Sequence, residues 1–258
     1  MRNYFLASTF ILGFSSLSFA NSIFTDGTRV FEADSSNNRV LIWKSKPTLE
    51  HRAPDVVLGQ SSWHKTGASD RASGLRYPTH VNFIDAGGGL FKIFVTETKG
   101  CRIRVYNVTQ SLQTLVAPKQ SNSANYDIGT SAFIGDAAEC VTTRYGLNGP
   151  RGTWTDGSSL VVADTGNNRV MIWNELPTTN NIPADIVLGQ PDFTSNRANN
   201  EQGIIPSAQV MKAPTAAWFD GTKLHVYDHG NQRMLIWNSM PTTIQQPADM
   251  VIGVAAEE

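Results

Sequence analysis

An all-β chain built from one repeated unit is what this sequence predicts, and three observations carry the prediction. The string Asp34-Ser-Ser-Asn-Asn-Arg-Val-Leu-Ile-Trp43 returns as Asp164-Thr-Gly-Asn-Asn-Arg-Val-Met-Ile-Trp173 and again as Asp228-His-Gly-Asn-Gln-Arg-Met-Leu-Ile-Trp237. The likeness extends beyond the string: residues 22–60 align with 152–190 at a constant offset of 130, and 150–189 with 214–253 at 64, both without gaps. Turn formers are abundant, with 21 Gly and 12 Pro in 258 residues, and no segment shows the period of an amphipathic helix. A fourth, degenerate copy starts at Glu97, passes through Thr-Lys-Gly-Cys to Arg102 and ends at Tyr106.

Each unit reads strand by strand. An inner strand stops at an Asp-Gly turn (Asp26-Gly27, Asp156-Gly157, Asp220-Gly221), and an apolar strand follows, over 160–163 in the third copy. A hairpin turn at Gly166-Asn167-Asn168 leads to a third strand over 170–173, then a Pro/Thr-rich loop and a short fourth strand within 185–190. Four short antiparallel strands, repeated four times, are the blades of a β-propeller, placed at about residues 22–60, 77–136, 149–190 and 213–253. In the second copy the fourth strand is read as ending at Gly135, beyond a longer loop over 107–126.

The recurring residues have a structural reason. The pairs Asp34/Arg39, Glu97/Arg102, Asp164/Arg169 and Asp228/Arg233 flank the tight hairpin, where a carboxylate can accept turn amides and pair with the guanidinium. Trp43, Tyr106, Trp173 and Trp237 fall four residues after each Arg, on a strand packed between blades, and a ring that buries roughly 150–250 Å² is a natural filler there. Side chains copied into every blade are assigned to architecture, not to chemistry.

The stretch "LVVADTGNNRVMIWN", its lead-in "GLNGPRG" and the linker "PADIVLGQPDF" resemble the NHL repeat in its bacterial form. The resemblance covers nearly all of 22–253, is close for three repeats, and breaks from the pattern in the second at "VTETKGCRIRVYN". It implies a propeller and no single activity, because the family includes protein-binding, RNA-binding, sensor and lyase members.

At 40% hydrophobic and 17% charged the chain is globular, and its net charge of -1 provides no broad basic surface for nucleic acid or anionic lipid. Arg2 precedes an apolar run over 4–14 and small residues ending in Ser18-Phe19-Ala20, the pattern of a signal peptide over 1–20 cleaved near Ala20. Cleavage leaves the propeller on 21–258, in the periplasm or secreted. The run is about half of the roughly 20 residues needed to span a bilayer, and no later segment approaches that length, so no membrane span is expected. In an oxidising compartment Cys101 and Cys140 are expected to form a disulfide. Cys101 matches Asn168 in the turn between second and third strands, which opens on the same face as the connection leaving the fourth strand, where Cys140 lies.

Familiar catalytic motifs are missing: there is no G-x-S-x-G elbow, H-E-x-x-H, C-x-x-C, P-loop or G-x-G-x-x-G. His80, matching Ser22, Gly152 and Ala216, is placed to face a central channel. Propeller lyases of the resembled family hold a metal with channel histidines, but the matching positions supply no further ligand. No metal and no cofactor is expected. Residues that differ between repeats are better candidates, and the long connections 61–76, 137–148 and 191–210 carry Trp63, His64, Tyr145, Phe193 and Arg197, with Arg151 at the channel mouth. Trp63 and Phe193 occupy equivalent positions and can instead clamp their loops to the blade. The expected function is a non-enzymatic binding or scaffold module for a protein, peptide or glycan at the cell envelope; the alternative is a metal-dependent lyase or lactonase using the channel. No strand is left to cross the seam between first and last blades. Closure is therefore expected to rest on side-chain packing there, in a monomer, the alternative being an open arc that pairs as a homodimer.

Overall fold

The computed structural model describes residues 22–62, 64–69, 71–109, 112, 124–128, 140–201 and 206–253. Blade 1 contains β1 (Ser22–Thr25), β2 (Val30–Asp34), β3 (Arg39–Trp43) and β4 (Val56–Leu58). Blade 2 contains β5 (Pro78–Gly87), β6 (Leu90–Glu97), β7 (Arg102–Thr109) and β8 (Tyr126–Ile128). Blade 3 contains β9 (Gly152–Thr155), β10 (Leu160–Asp164), β11 (Arg169–Trp173) and β12 (Ile186–Leu188), and blade 4 β13 (Ala216–Phe219), β14 (Leu224–Asp228), β15 (Arg233–Trp237) and β16 (Met250–Gly253). In every sheet the strands lie side by side in chain order and pair antiparallel, giving a four-blade β-propeller.

The Asn-rich signature is explained by the turn between second and third strands. Asn38, Asn168 and Gln232 close a one-turn 3-10 segment with φ of 52°, 53° and 52°, a left-handed conformation that short polar side chains tolerate best. Cys101 takes the same place in blade 2, at φ 51°. Its Cα lies 5.3 Å from that of Cys140, to which it is disulfide-bonded as the sequence predicts.

Strand alternation gives each blade two apolar faces, and the core is divided among the seams. Phe31, Val40, Ile42 and Leu58 of blade 1 pack on Val81, Phe83, Ile93, Val95 and Tyr106 of blade 2. Phe94, Ile103, Val105 and Ile128 of blade 2 meet Leu160, Val162, Met171 and Trp173 of blade 3. Val161, Val170, Ile172 and Leu188 of blade 3 meet Leu224, Val226, Leu235 and Trp237 of blade 4. Tyr106, Trp173 and Trp237 thus sit between blades, while Trp43 is half-buried and outside these three clusters. Two polar stitches accompany each seam. Ser35, Thr98 and Thr165 donate their hydroxyls to the carbonyls of Pro78, Pro150 and Pro214 in the next blade. Asn38 Oδ1, Cys101 Sγ and Asn168 Oδ1 accept the N–H groups of Tyr77, Gly149 and Ala213.

Two expectations are corrected. The fourth strand of blade 2 is β8, ending at Ile128, and Gly135 lies outside the described residues. The segment is hard to recognise because Asp127 occupies the register of Val57 and Val187, so a charge interrupts the apolar signature. The second correction concerns closure. Among the described residues, blade contacts run through β1 and β2 on β5, β5 on β9, and β9 and β10 on β13, and no seam of that extent joins blade 1 to blade 4. The two end faces also depart from the other blades in sequence. Glu32 stands where other blades have Val95, Val162 and Val226, and His225 where they have Phe31, Phe94 and Val161.

Candidate functional site

The loop-bearing face is built outward from the repeated Asp–Arg turn. In blade 3, Asp164 accepts the backbone N–H of Asn148 on the incoming connection and pairs with Arg169 Nε at 2.7 Å, both side chains being fully buried. Arg169 then donates to the carbonyls of Thr143 and Gly146 on the incoming connection and of Phe193 on the outgoing one. Blade 4 repeats the device: Arg233 holds Pro206, Ser207 and Val210, and Asp228 accepts the N–H of Lys212. The guanidinium of Arg169 is therefore a strut between loops and blade, with four hydrogen bonds to them. Burial pushes the Asp164 carboxyl up, opposed chiefly by the charge of Arg169.

The unlike residues are displayed on those loops. Tyr145 is 44% exposed beside Arg144, whose guanidinium lies over the Phe193 ring at 5.1 Å and whose Nε donates to Ala184 O. Phe193 is half-buried against the seam of blades 2 and 3, so it clamps its loop and does not project. Arg197 is exposed and ion-paired with Glu201, while its carbonyl accepts Gln190 Nε2 at 2.9 Å. His64 is exposed on the corresponding connection of blade 1, where Gln60 Nε2 holds Gly67 O at 2.8 Å; Trp63 lies outside the described residues. Arg151 is exposed at the start of β9, its carbonyl accepting Thr79 Oγ1. Tyr145, Arg197 and Arg151 thus share the loop face of the blade 2–blade 3–blade 4 region, and His64 lies one blade away.

The inner strands form a second, polar surface. His80 is half-buried with Ser22 Oγ 3.3 Å from Nδ1, which joins matching positions of neighbouring blades as the register predicts. Asn82 donates to Thr153 O, and the hydroxyls of Thr96 and Thr153 meet at 2.6 Å. Desolvation lowers the His80 imidazole to about 4, against the opposing effect of hydrogen bonds with Thr153 and Asn82. Its neighbours are hydroxyls and amides, and among the described residues no three His, Cys, Asp or Glu side chains gather where an ion could be held. Among the described residues, too, no helix is long and apolar enough to cross a membrane.

Two clusters went unread in the sequence. On blade 4, Trp218 stacks on His225 at 4.8 Å, His225 Nε2 contacts Asp220 at 2.9 Å, and Tyr227 meets His229 edge-on at 5.7 Å. The aromatic recurring at Phe24, Trp154 and Trp218 could have revealed part of it. In blade 2, Glu97 pairs with both Arg102 and Arg104, with Asp127 3.8 and 3.9 Å from them. An open cleft of about 510 Å³ between the outer parts of blades 2 and 3 is lined by Asn107, Asn125, Thr178, Thr179 and Asn180.

No protein-family model matches the chain. No curated protein matches it. Among solved structures, a putative 6-phosphogluconolactonase from Bacteroides uniformis is 11% identical over 90% of this chain and 55% of its own, with a TM-score of 0.50. A nidogen/laminin complex is 16% identical over 88% of this chain and 63% of that one, with a TM-score of 0.44. Polycomb repressive complex 2 of Chaetomium thermophilum is 14% identical over 89% and 40%, with a TM-score of 0.49. The chain spans 55% and 63% of the length of the first two. At these identities the likeness is one of fold alone, and the fold is the β-propeller.

Proposed function

We propose that this protein is an exported NHL-type propeller, cleaved near Ala20, that acts as a non-enzymatic binding module for a protein, peptide or glycan at the cell envelope. One observation carries the reading. The charges shared by the repeats are used in holding the loops, while the residues that differ between repeats, His64, Tyr145, Arg151 and Arg197, are exposed on those held loops. A rigid scaffold that displays unlike aromatic and cationic side chains is suited to recognition, because little conformational entropy is lost when a partner binds. The disulfide is compatible with an oxidising compartment. The test is binding of the cleaved protein to arrayed envelope glycans and peptides, with Tyr145→Ala/Arg197→Ala compared with His80→Ala. Loss of about tenfold or more in affinity in the loop variant, with unchanged thermal unfolding and normal binding by His80→Ala, is expected. The reverse pattern would move function to the inner strands.

A further inference from the structure

We propose that two copies of this chain join head to tail, blade 4 of each on blade 1 of the other, and close one ring of eight blades. The proposal is independent of what the loop face binds. It starts from the repetition of the seam. Three times along the chain, the outgoing face of one blade packs on the incoming face of the next through the same registers. The four described blades leave one half of that interface exposed on each side. The outgoing face of blade 4 carries Tyr227, Met250 and Ile252, 37%, 46% and 54% exposed, where blade 3 buries Ala163, Ile186 and Leu188. The incoming face of blade 1 leaves Ile23 67% exposed and Trp43 half-buried, where blade 3 buries Thr153 and Trp173.

The two exposed halves also place an imidazole and a carboxylate at matching positions. In the three formed seams the corresponding positions pair Phe31 with Val95, Phe94 with Val162 and Val161 with Val226, each pair within one apolar cluster. In the fourth seam the same two registers bring His225 of one copy to Glu32 of the other. The polar stitches have counterparts as well, since His229 and Gln232 occupy the registers of Thr165 and Asn168 on the exposed edge of blade 4. Among the described residues, no seam of that extent joins these faces within one chain. A second copy brings both together at once, because a head-to-tail contact made twice by two identical arcs closes on a twofold axis. Eight blades lie within the range that propellers adopt. In such a ring every blade keeps the same orientation, so both loop faces look to the same side.

Sedimentation equilibrium of the purified protein over a wide concentration range tests the proposal, with thermal unfolding recorded for every variant so that loss of folding is told apart from loss of association. The wild type is expected to reach a dimer and nothing larger, and Ile252→Lys or Ile23→Lys to remain monomeric with unchanged thermal unfolding. Glu32→Lys is expected to raise the dissociation constant about tenfold or more, and His225→Glu added to it to restore association. A monomer at every concentration, which includes coverage of these faces by the chain's own ends, would overturn the proposal. So would oligomers that grow with concentration, or a dimer indifferent to all four substitutions.

Discussion

In blade 3 the hairpin carboxylate Asp164 meets a single guanidinium, Arg169, and the neighbouring registers are filled by Met171 and Val187, both buried. In blade 2 Glu97 meets two guanidiniums, Arg102 at 2.6 Å and Arg104 at 2.8 Å, and the registers of Met171 and Val187 hold Arg104 and Asp127. One topology has therefore been filled once with an apolar face and one strut, and once with a buried network of four charges. Taking charges out of water costs more than their attraction returns unless every lone pair is satisfied, and neither Asp127 oxygen has a hydrogen bond. Blade 2 has compensations that blade 3 lacks: its second and third strands run to eight residues each against five, and the disulfide joins its turn to the following connection.

The ring between blades should give the largest contrast. Trp173 is 1% exposed and its indole N–H donates to Ile182 O at 3.0 Å, a bond made equally by Trp43 to Arg52 O and Trp237 to Gln246 O. Trp173→Ala should cost about 3–5 kcal/mol in urea unfolding. Tyr106, at the same register in blade 2, is as deeply buried but its hydroxyl has no hydrogen-bond partner. Tyr106→Phe should therefore be neutral or slightly stabilising, since it removes a desolvated polar atom. A loss below about 1 kcal/mol for Trp173→Ala would contradict its place in the seam.

The disulfide should come next. It closes a sequence separation of 39 residues, for which the loss of loop-closure entropy predicts about 4 kcal/mol, with 2–4 kcal/mol typical. Cys101→Ser/Cys140→Ser should lower stability by that amount and release the connection after β8. Proteolysis should then cut near Cys140, within 140–148, before it cuts the 191–201 loop of blade 3, which Arg169 holds through Phe193 O. Equal cleavage of both loops would mean that the staple is not what distinguishes the two blades.

Most of the fold was legible because repetition turns a weak local pattern into a strong one. A single apolar run such as 160–163 fits a strand or a buried helix, but three copies at fixed spacing around Asn-rich turns do not. The degenerate blade was legible at its turn, where Cys101 keeps the register of Asn168, and illegible at β8, where Asp127 sits in place of a valine. The open faces were written in the sequence too: Glu32 and His225 break the apolar columns of the aligned repeats. Their meaning depends on which way alternate residues face, and that becomes visible only when the blades are stacked. That Phe193 can clamp its loop was legible from its equivalence with Trp63, whereas Arg144 reaching the Phe193 ring from a different connection was not.

The smallest effect concerns pH, and here the two ends of blade 2 act against each other. Burial raises the Asp127 carboxyl to about 6, opposed by Arg104 and Arg102, so between its ordinary value of 3.8 and about 6 the folded chain holds a proton that the unfolded chain has released. Stability from this group is highest below that window and falls as pH rises through it. His80 has the opposite sign: desolvation lowers it from 6.5 to about 4, so across that interval the unfolded chain holds the extra proton and stability rises with pH. Each slope is at most about 1.4 kcal/mol per pH unit. The wild type should therefore change little between about pH 4 and 6. Asp127→Asn should leave the His80 slope alone, giving stability that climbs with pH, and His80→Gln should leave a stability that declines. Chemical denaturation at half-unit pH intervals measures all three curves. If Asp127→Asn reproduces the wild-type curve, the carboxylate is already ionised at pH 4, which would mean that Arg102 and Arg104 overcome its burial and that the buried charges of blade 2 are as well compensated as the Asp–Arg pair of blade 3.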